Sequence, residues 1–505
     1  MELVRGLNEK GQFKTLPDGV KLYTLFNNKV PQAGFDVTDL RKLGAAMRDL
    51  QASNVSAMAG YTYLGQFLAH DLSRLRIKGH NKTVKSFTTD ILRSDVSSVL
   101  DLSSVYEGAV AGSLMRKTGS AFMALGDAHV SDGPDLAGYD LPRNGLRACV
   151  GDDRNDENLI VSQLHVQFLK LHNFFVREIS HDHPGLGTDS LFESAREQVI
   201  LHYQEVILYD FLYEILHPAV WKAIILENEH ILWDPDSTEP AVLPIEYTAA
   251  AGRFGHAMVQ NNYNLNAVTS VSVSELFEMT GEGGFGGKYL RMPASHLIDW
   301  RLFFDFPDQS TRGLPSRNKA LRISPRVRVN LTNTQSLAVP EETNLATRNL
   351  LRGLQMRLSS GQAAVNYLLN NFETRLRELE IPVRLLDRDQ LNLNKPDYSR
   401  HVLDRCNPAL SNQTPLWYYV LAEACVETIE GIGKLGPLGS LLVAESVRGL
   451  LQLDRNSMRY KTRRQDIAPS KQIPGYLERK FLQMSDLILA ANSGVSDPTT
   501  FITRQ

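Results

Sequence analysis

The sequence predicts a mainly α fold, a single large helical domain with little β-structure. Three observations carry that expectation. Long stretches space their apolar residues at the helical period, most clearly Leu159, Leu164, Phe168, Leu171 and Phe175 on one stripe. Strand-like alternation is sparse, and no fixed-period repeat or low-complexity tract interrupts the chain. Of 505 residues, 43% are hydrophobic and 22% charged, which suits a globular chain burying a large core.

Taken in order, residues 1–40 mix Gly, Pro and Asn with short apolar pieces and read as an N-terminal extended arm. Helical spacing predicts helices from Asp39 to Leu50 and from about Ser56 to Leu75. Residues 76–150 are irregular but keep ordered-looking pieces, and read as a long functional loop region. The stripe that begins at Leu159 predicts a helix ended by His181-Asp-His183-Pro184-Gly185. A second long helix is expected from Asp189, as N-cap, to His217 before Pro218. Pro244 to Gln260 reads as one helix containing Gly252 and Gly255, each costing about 1 kcal/mol relative to Ala. That cost points to something flat or bulky close to the backbone. Further helices are expected over Asn344–Leu358, Gln362–Leu379, Leu416–Thr428 and Leu438–Leu453. The domain thus spans 41–462, and a C-terminal helix and tail, 463–505, packs on it.

The formal net charge of -3 gives no reason to expect nucleic acid or an anionic membrane as a partner. No apolar run approaches the roughly 18 residues of a membrane span, and the N-terminus lacks the apolar core of a secretory signal. Cys149, Cys406 and Cys425 are odd in number and far apart, so they form no disulfide framework. A soluble protein is expected, cytoplasmic or exported without a cleaved signal, and a monomer needs no extra feature.

The chemistry-bearing residues begin with Gln66 and His70, four apart and so on one helix face, while Asp71 turns about 100° away. His256 follows Arg253 by three residues beside the helix glycines, and Arg154 stands in a polar turn before a helix start. Two histidines on separate helices and a fixed cation are what a haem peroxidase needs. One imidazole binds iron, the other moves a proton on peroxide, and the cation stabilises charge as the O–O bond breaks.

Four motifs in order, Gly65-Gln-Phe-Leu-Ala-His70-Asp71, Gly151-Asp-Asp-Arg154-Asn-Asp-Glu157, Leu164-His-Val-Gln-Phe-Leu-Lys-Leu-His172-Asn173 and Arg253-Phe-Gly-His256, closely resemble those of the animal-type haem peroxidases. The resemblance to this peroxidase–cyclooxygenase superfamily spans about residues 40–460. It implies haem b as cofactor, His70 as distal acid–base residue, Gln66 as its neighbour and Arg154 as distal arginine. It implies His256 as the iron ligand and Asn349 as acceptor of that ligand's other ring proton. Arg253 and Arg352 match arginines near the haem propionates, although the family's Arg-Gly-Arg-Asp reads Arg-Gly-Leu-Gln here.

In the family, the Asp after the distal His binds calcium together with a loop of alternating ligands. Asp71 and the oxygens of Ser97, Val99, Asp101 and Ser103 match that arrangement and suit a hard divalent ion. Mammalian members esterify haem through an Asp just before the distal His and a Glu three residues after the distal Arg. Here these positions are Ala69 and Glu157, and the position of the sulfonium-forming Met holds Asn158. At most one ester link, through Glu157, is therefore expected.

The expected activity is peroxidase: hydrogen peroxide oxidises small donors, such as phenolics, bromide, iodide or thiocyanate. The alternative is a haem-dependent fatty-acid dioxygenase of the same superfamily. Its radical Tyr precedes the proximal His by three residues, where this chain has Arg253, and Tyr247 lies nine away. His165 and His172 read as buried hydrogen-bonded residues, and His181-Asp182-His183 as a solvated helix end. Cys149 offers a thiolate, but the Arg253-Phe-Gly-His256 motif assigns the iron to His256.

Overall fold

The computed structural model describes residues 20–26, 30–31, 33–48, 54–73, 75–77, 92–94, 99–106, 116–117, 119–128, 136–234, 242–280, 292–306, 309–327, 344–393, 401–426, 433–454, 457 and 481–493. Its centre is a 24-residue helix, Leu159–Asp182, started by Asn158, whose side chain accepts from the Val161 N–H. The expected stripe is buried, but so is every other residue through Val176. A helix surrounded by neighbours must satisfy its polar side chains internally. Asn173 accepts from Met123 N at 2.7 Å and donates to the Met123 carbonyl. His172 donates from Nε2 to the Ala121 carbonyl and so accepts at Nδ1 from Tyr106. Burial pushes His172 down to about 4, so it is a neutral core histidine.

The helix Gly60–Leu72 packs against this centre. It starts later than expected because Asn54–Met58 pairs as a strand with Lys319–Leu321. Gly60 donates to the Phe303 carbonyl at 2.8 Å. A four-stranded sheet joins Val20–Tyr23, within the expected arm, to Leu92–Ser94 on one side and, in parallel, to Val242–Pro244 on the other. Leu25 and Phe26 are buried, and the buried Glu246 carboxylate accepts from Thr24 Oγ1 and Leu25 N. The helices Leu345–Gln355, Gly361–Glu378, Leu416–Val426 and Pro437–Leu453 lie where the sequence predicts them, with Asn344 capping the first.

Two long-helix expectations are corrected. Asp189 is not the N-cap: Gly187 is, and Asp189 lies exposed in the first turn, paired with Arg116. The helix Thr188–Val206 then widens into a π turn over Ile207–Phe211 and ends at Ile215. His217, extended as a residue before proline must be, caps a new turn opened by Pro218. The stretch from Pro244 is likewise no single helix. It forms Ile245–Ala249, breaks at Ala250 and continues as a tight turn over Ala251–Ala257. A Cβ on Gly252 would sit 2.8 Å from the Tyr247 carbonyl, a fold-back open only to glycine.

The C-terminal helix Met484–Asn492 packs on the central helix, with Asn492 bridging Lys170 and Gln167. Its first turn is held from below by Asp210, which accepts from Met484 N and Tyr61 Oη, both at 2.7 Å. Burial lifts the Asp210 carboxyl to about 7. A carboxyl raised on folding favours the fold fully below its unfolded pKa, and that contribution is lost as pH rises through about 7. Asp210→Asn removes the term. The variant should gain on wild type by roughly 2–3 kcal/mol between pH 5 and 8 in denaturant unfolding; a constant gap across that range would contradict this origin.

Candidate active site

A cavity of about 490 Å³, within the range of small-molecule and cofactor sites, is lined by four polar segments and by the apolar Val259, Val273 and Phe277. The 60–72 helix contributes Gln66, Ala69 and His70, and the turn after it in space contributes Arg154 and Glu157. The 247–256 segment contributes Tyr247, Arg253, Gly255 and His256, and the 345–355 helix contributes Asn349 and Arg352. All eight residues expected at the haem therefore line one cavity.

His70 is buried, with Nδ1 2.9 Å from Asn155 Oδ1 and Nε2 3.6 Å from Glu157 Oε1. Gln66 does not bond His70: its amide donates to Glu157 Oε1, and its carbonyl accepts from Asn158. Asn158 thus serves both as helix cap and as anchor for Gln66. Arg154 sits in the turn Asp153–Asp156, capped by Asp152, with its guanidinium paired to the Asp152 carboxylate and donating to the His70 carbonyl. Both cation and imidazole are held from the same backbone.

On the 251–257 turn, burial and then the neighbouring Arg253 push His256 down to about 3, leaving a neutral imidazole. Arg253 donates to the Thr248 carbonyl and to Asn349 Oδ1. Burial, followed by repulsion from Arg352 and Arg154, lowers Arg253 to about 9. Among the described residues neither Arg253 nor Arg352 has a carboxylate partner, so the cavity carries positive charge suited to an anionic group. A Cβ on Gly255 would meet nothing within 4 Å, so the turn leaves open space there.

The structure sets the Asn349 amide the other way round from the sequence expectation. Its Nδ2, not its carbonyl oxygen, lies 2.8 Å from His256 Nδ1. An amide nitrogen only donates, so the ring accepts. The reason is Arg253, which can only donate and claims the amide oxygen.

Asp71 faces away from the cavity, fully buried, and accepts from Leu102 N at 3.2 Å, Ser104 N at 3.4 Å and Ser103 Oγ at 3.5 Å. Asp101 accepts from Ser103 N within the same loop. Leu100 and Leu102 flank Asp101 at φ of 51° and 54°, a left-handed backbone that costs side chains about 1–2 kcal/mol each. The structure brings Asp71, Asp101 and Ser103 together; Ser97 lies outside the described residues. Val99 is buried beside them in sequence.

Sequence reasoning missed Asn155, Asp152 and Arg143. Arg143 binds both Asp156 oxygens at 2.9 Å and Asp140 besides, fixing the turn that carries Arg154. The doubled acid around Arg154 hinted at such pairing. Cys149 is buried and does not line the cavity, and His181 and His183 are exposed.

A family model described as animal haem peroxidase matches residues 75–356. The chain is 27% identical over 141 residues to the peroxidase mlt-7 of Caenorhabditis elegans and 31% identical over 110 residues to a dual oxidase of Drosophila melanogaster. These matches cover 28% and 22% of this chain but only 19% and 7% of those proteins. In fold it is similar to peroxidase A from Dictyostelium discoideum, with a TM-score of 0.62 at 15% identity, covering 95% of this chain and 94% of that one. A fatty acid alpha-dioxygenase of Arabidopsis thaliana gives 0.60 at 13% identity, covering 90% and 79%.

Proposed function

The chain belongs to the animal haem peroxidase family, and from that premise we propose that it reduces hydrogen peroxide at a haem held in the 490 Å³ cavity, oxidising small donors. The observation that carries this reading is that His70, Arg154 and a neutral His256 line one cavity, brought there by three separate segments. Fit to the cofactor rests on two features of the cavity: guanidiniums at Arg253 and Arg352 without a carboxylate partner among the described residues, and the space over Gly255. Two propionates would pair with the two arginines, and His256 would ligate iron.

Bound haem would supply the redox chemistry, taking two oxidising equivalents from peroxide and passing them to a donor. The protein's part is proton and charge handling. His70 receives the peroxide proton at Nε2 and returns it to the departing oxygen. Arg154, fixed by Asp152 and the His70 carbonyl, lines the same cavity and would offer its cation to negative charge that develops there. Gln66, anchored by Glu157 and Asn158, orders the polar atoms beside His70. With His256 Nε2 holding iron, the ring proton would lie on Nδ1, where the Asn349 carbonyl would accept it, and Arg253 would be free to pair with a propionate. Phenolics, bromide, iodide and thiocyanate are the donor classes proposed. A fatty-acid dioxygenase is the second reading, kept because the buried Tyr247 also lines the cavity.

The Asp71 loop is the proposed calcium site, with Asp71, Asp101 and Ser103 joined by the Val99 carbonyl and Ser97 hydroxyl. Support comes from two buried carboxylates beside a left-handed loop. Ala69 lines the cavity and offers no ester, so Glu157 is the one residue proposed to form such a link, by releasing Gln66.

The absorption spectrum of the purified chain should show a Soret band that changes on adding peroxide and recovers with guaiacol or bromide. His256→Ala should lose haem, and His70→Leu should keep it while slowing the peroxide reaction on the order of 10²–10⁴-fold. Haem retained in His256→Ala would refute the ligand, and linoleate-dependent oxygen uptake without peroxide would favour the dioxygenase. Calcium should raise the melting temperature of chelator-treated protein and do nothing for Asp71→Asn; equal responses would remove the site. Acid–acetone should leave haem on the wild type and strip it from Glu157→Gln, whereas complete release from both would exclude the ester.

A further inference from the structure

The turn Asp153–Asp156 aims two consecutive side chains at His70 from different sides. Arg154 reaches its carbonyl, and Asn155, with no exposed surface, reaches its ring. We propose that Asn155 is the positioning residue of the distal histidine: its amide keeps the ring proton of His70 on Nδ1 and so leaves Nε2 a bare acceptor toward the cavity. The proposal rests on the peroxidase reading for its consequence, but its geometry is independent of it.

The orientation of the Asn155 amide follows from its neighbours. Its Nδ2 lies 3.4 Å from the Ser104 carbonyl and 3.2 Å from His165 Nδ1. A carbonyl only accepts, so the NH₂ group must face Ser104 and the amide oxygen must face His70. An amide oxygen only accepts in turn, so His70 Nδ1 must carry the hydrogen across the 2.9 Å contact. Turning the amide over would set two acceptor oxygens together at Ser104. His165 is compatible with the same orientation: burial lowers it to about 3, so the ring is neutral and its Nδ1 can accept from the amide.

This hold is needed because the ring has a rival partner. Glu157 Oε1 stands 3.6 Å from Nε2, beyond hydrogen-bond reach but close enough to draw a proton there if Nδ1 had no acceptor. An Nε2–H tautomer would present a donor to an arriving hydroperoxide and could not act as base. The Asn155 bond therefore decides between a competent and an incompetent histidine at equal charge. Ser104 extends the hold to the Asp71 loop. Its carbonyl accepts from Asn155 and from Asp152 N at 3.0 Å, while its N–H bonds Asp71. The loop behind the 60–72 helix thus sets the tautomer in front of it.

The test reads the tautomer and the proton transfer separately. In the full chain labelled with nitrogen-15 histidine, at pH 8, long-range nitrogen–proton NMR should show His70 protonated at Nδ1 and bare at Nε2, with the signal assigned by its loss in His70→Gln. In Asn155→Leu a substantial share of the proton should move to Nε2. In the haem-loaded proteins, Asn155→Leu should slow association of HCN and of H₂O₂ by roughly 10–100-fold, because both must surrender a proton to His70. Carbon monoxide binding to the ferrous form needs no proton transfer and should be unchanged. A wild-type His70 protonated at Nε2 overturns the proposal, and this holds even where the variant fails to fold. An unmoved tautomer with an unmoved HCN rate overturns it as well, as does carbon monoxide slowed as much as HCN. A wild type that takes up no haem would instead overturn the peroxidase reading and leave the NMR result standing.

Discussion

Burying the Gly60–Leu72 helix sends Tyr61, Gln66, His70 and Asp71 to partners in other parts of the chain. Tyr61 bonds Asp210 and through it the start of the C-terminal helix. Asp71 takes the N–H groups of the 102–104 loop, and His70 takes Asn155 from the turn that carries Arg154. Gln66 is tied to Glu157 and Asn158. Losing any of these would strand a buried donor or acceptor at a cost of about 1–3 kcal/mol. The helix is therefore fixed in rotation and height by three separate segments, which fixes His70 with it.

The opposite wall is built on a different economy. The 245–257 stretch has no long helix to hold it, so it folds back on Tyr247 and uses Arg253 as a clamp on the Thr248 carbonyl. That clamp carries a charge into a dry place, and the crowding of Arg253 with Arg352 and Arg154 lowers its own pKa. Such an arrangement is stable only when the cation has polar contacts and the prospect of an anion. The neutral His256 beside it follows from its own burial and, after that, from the Arg253 charge.

The residues that line the cavity were legible because each sits inside a contiguous motif whose spacing survives folding: Gln66 with His70, Arg154 with Glu157, Arg253 with His256. The helix positions were legible for the same reason, since apolar period is a local property. What failed to read was non-local. The 159–182 stripe marked one apolar face, yet residues 159–176 are buried all round because the 188–206, 60–72 and 484–492 helices all pack on them. The break at Ala250 depends on the contact of Gly252 with Tyr247. The direction of the Asn349–His256 bond depends on Arg253 claiming the amide oxygen.

The sequence by itself determined the helical class, the residue types at the cavity and the departures at Ala69 and Asn158. These are matters of composition, period and motif, which need no knowledge of what lies opposite. Tertiary structure alone decided which hydrogen bonds those residues make. Asn155 next to Arg154 looks like any polar turn residue until Ser104 and His165, from two other segments, fix its amide against His70. The 60–72 helix thus began as a stretch bearing two useful faces and ends as one whose active tautomer is set from behind. Proton placement on a buried ring depends on partners far away in sequence, so it becomes defined only when the chain has closed around it.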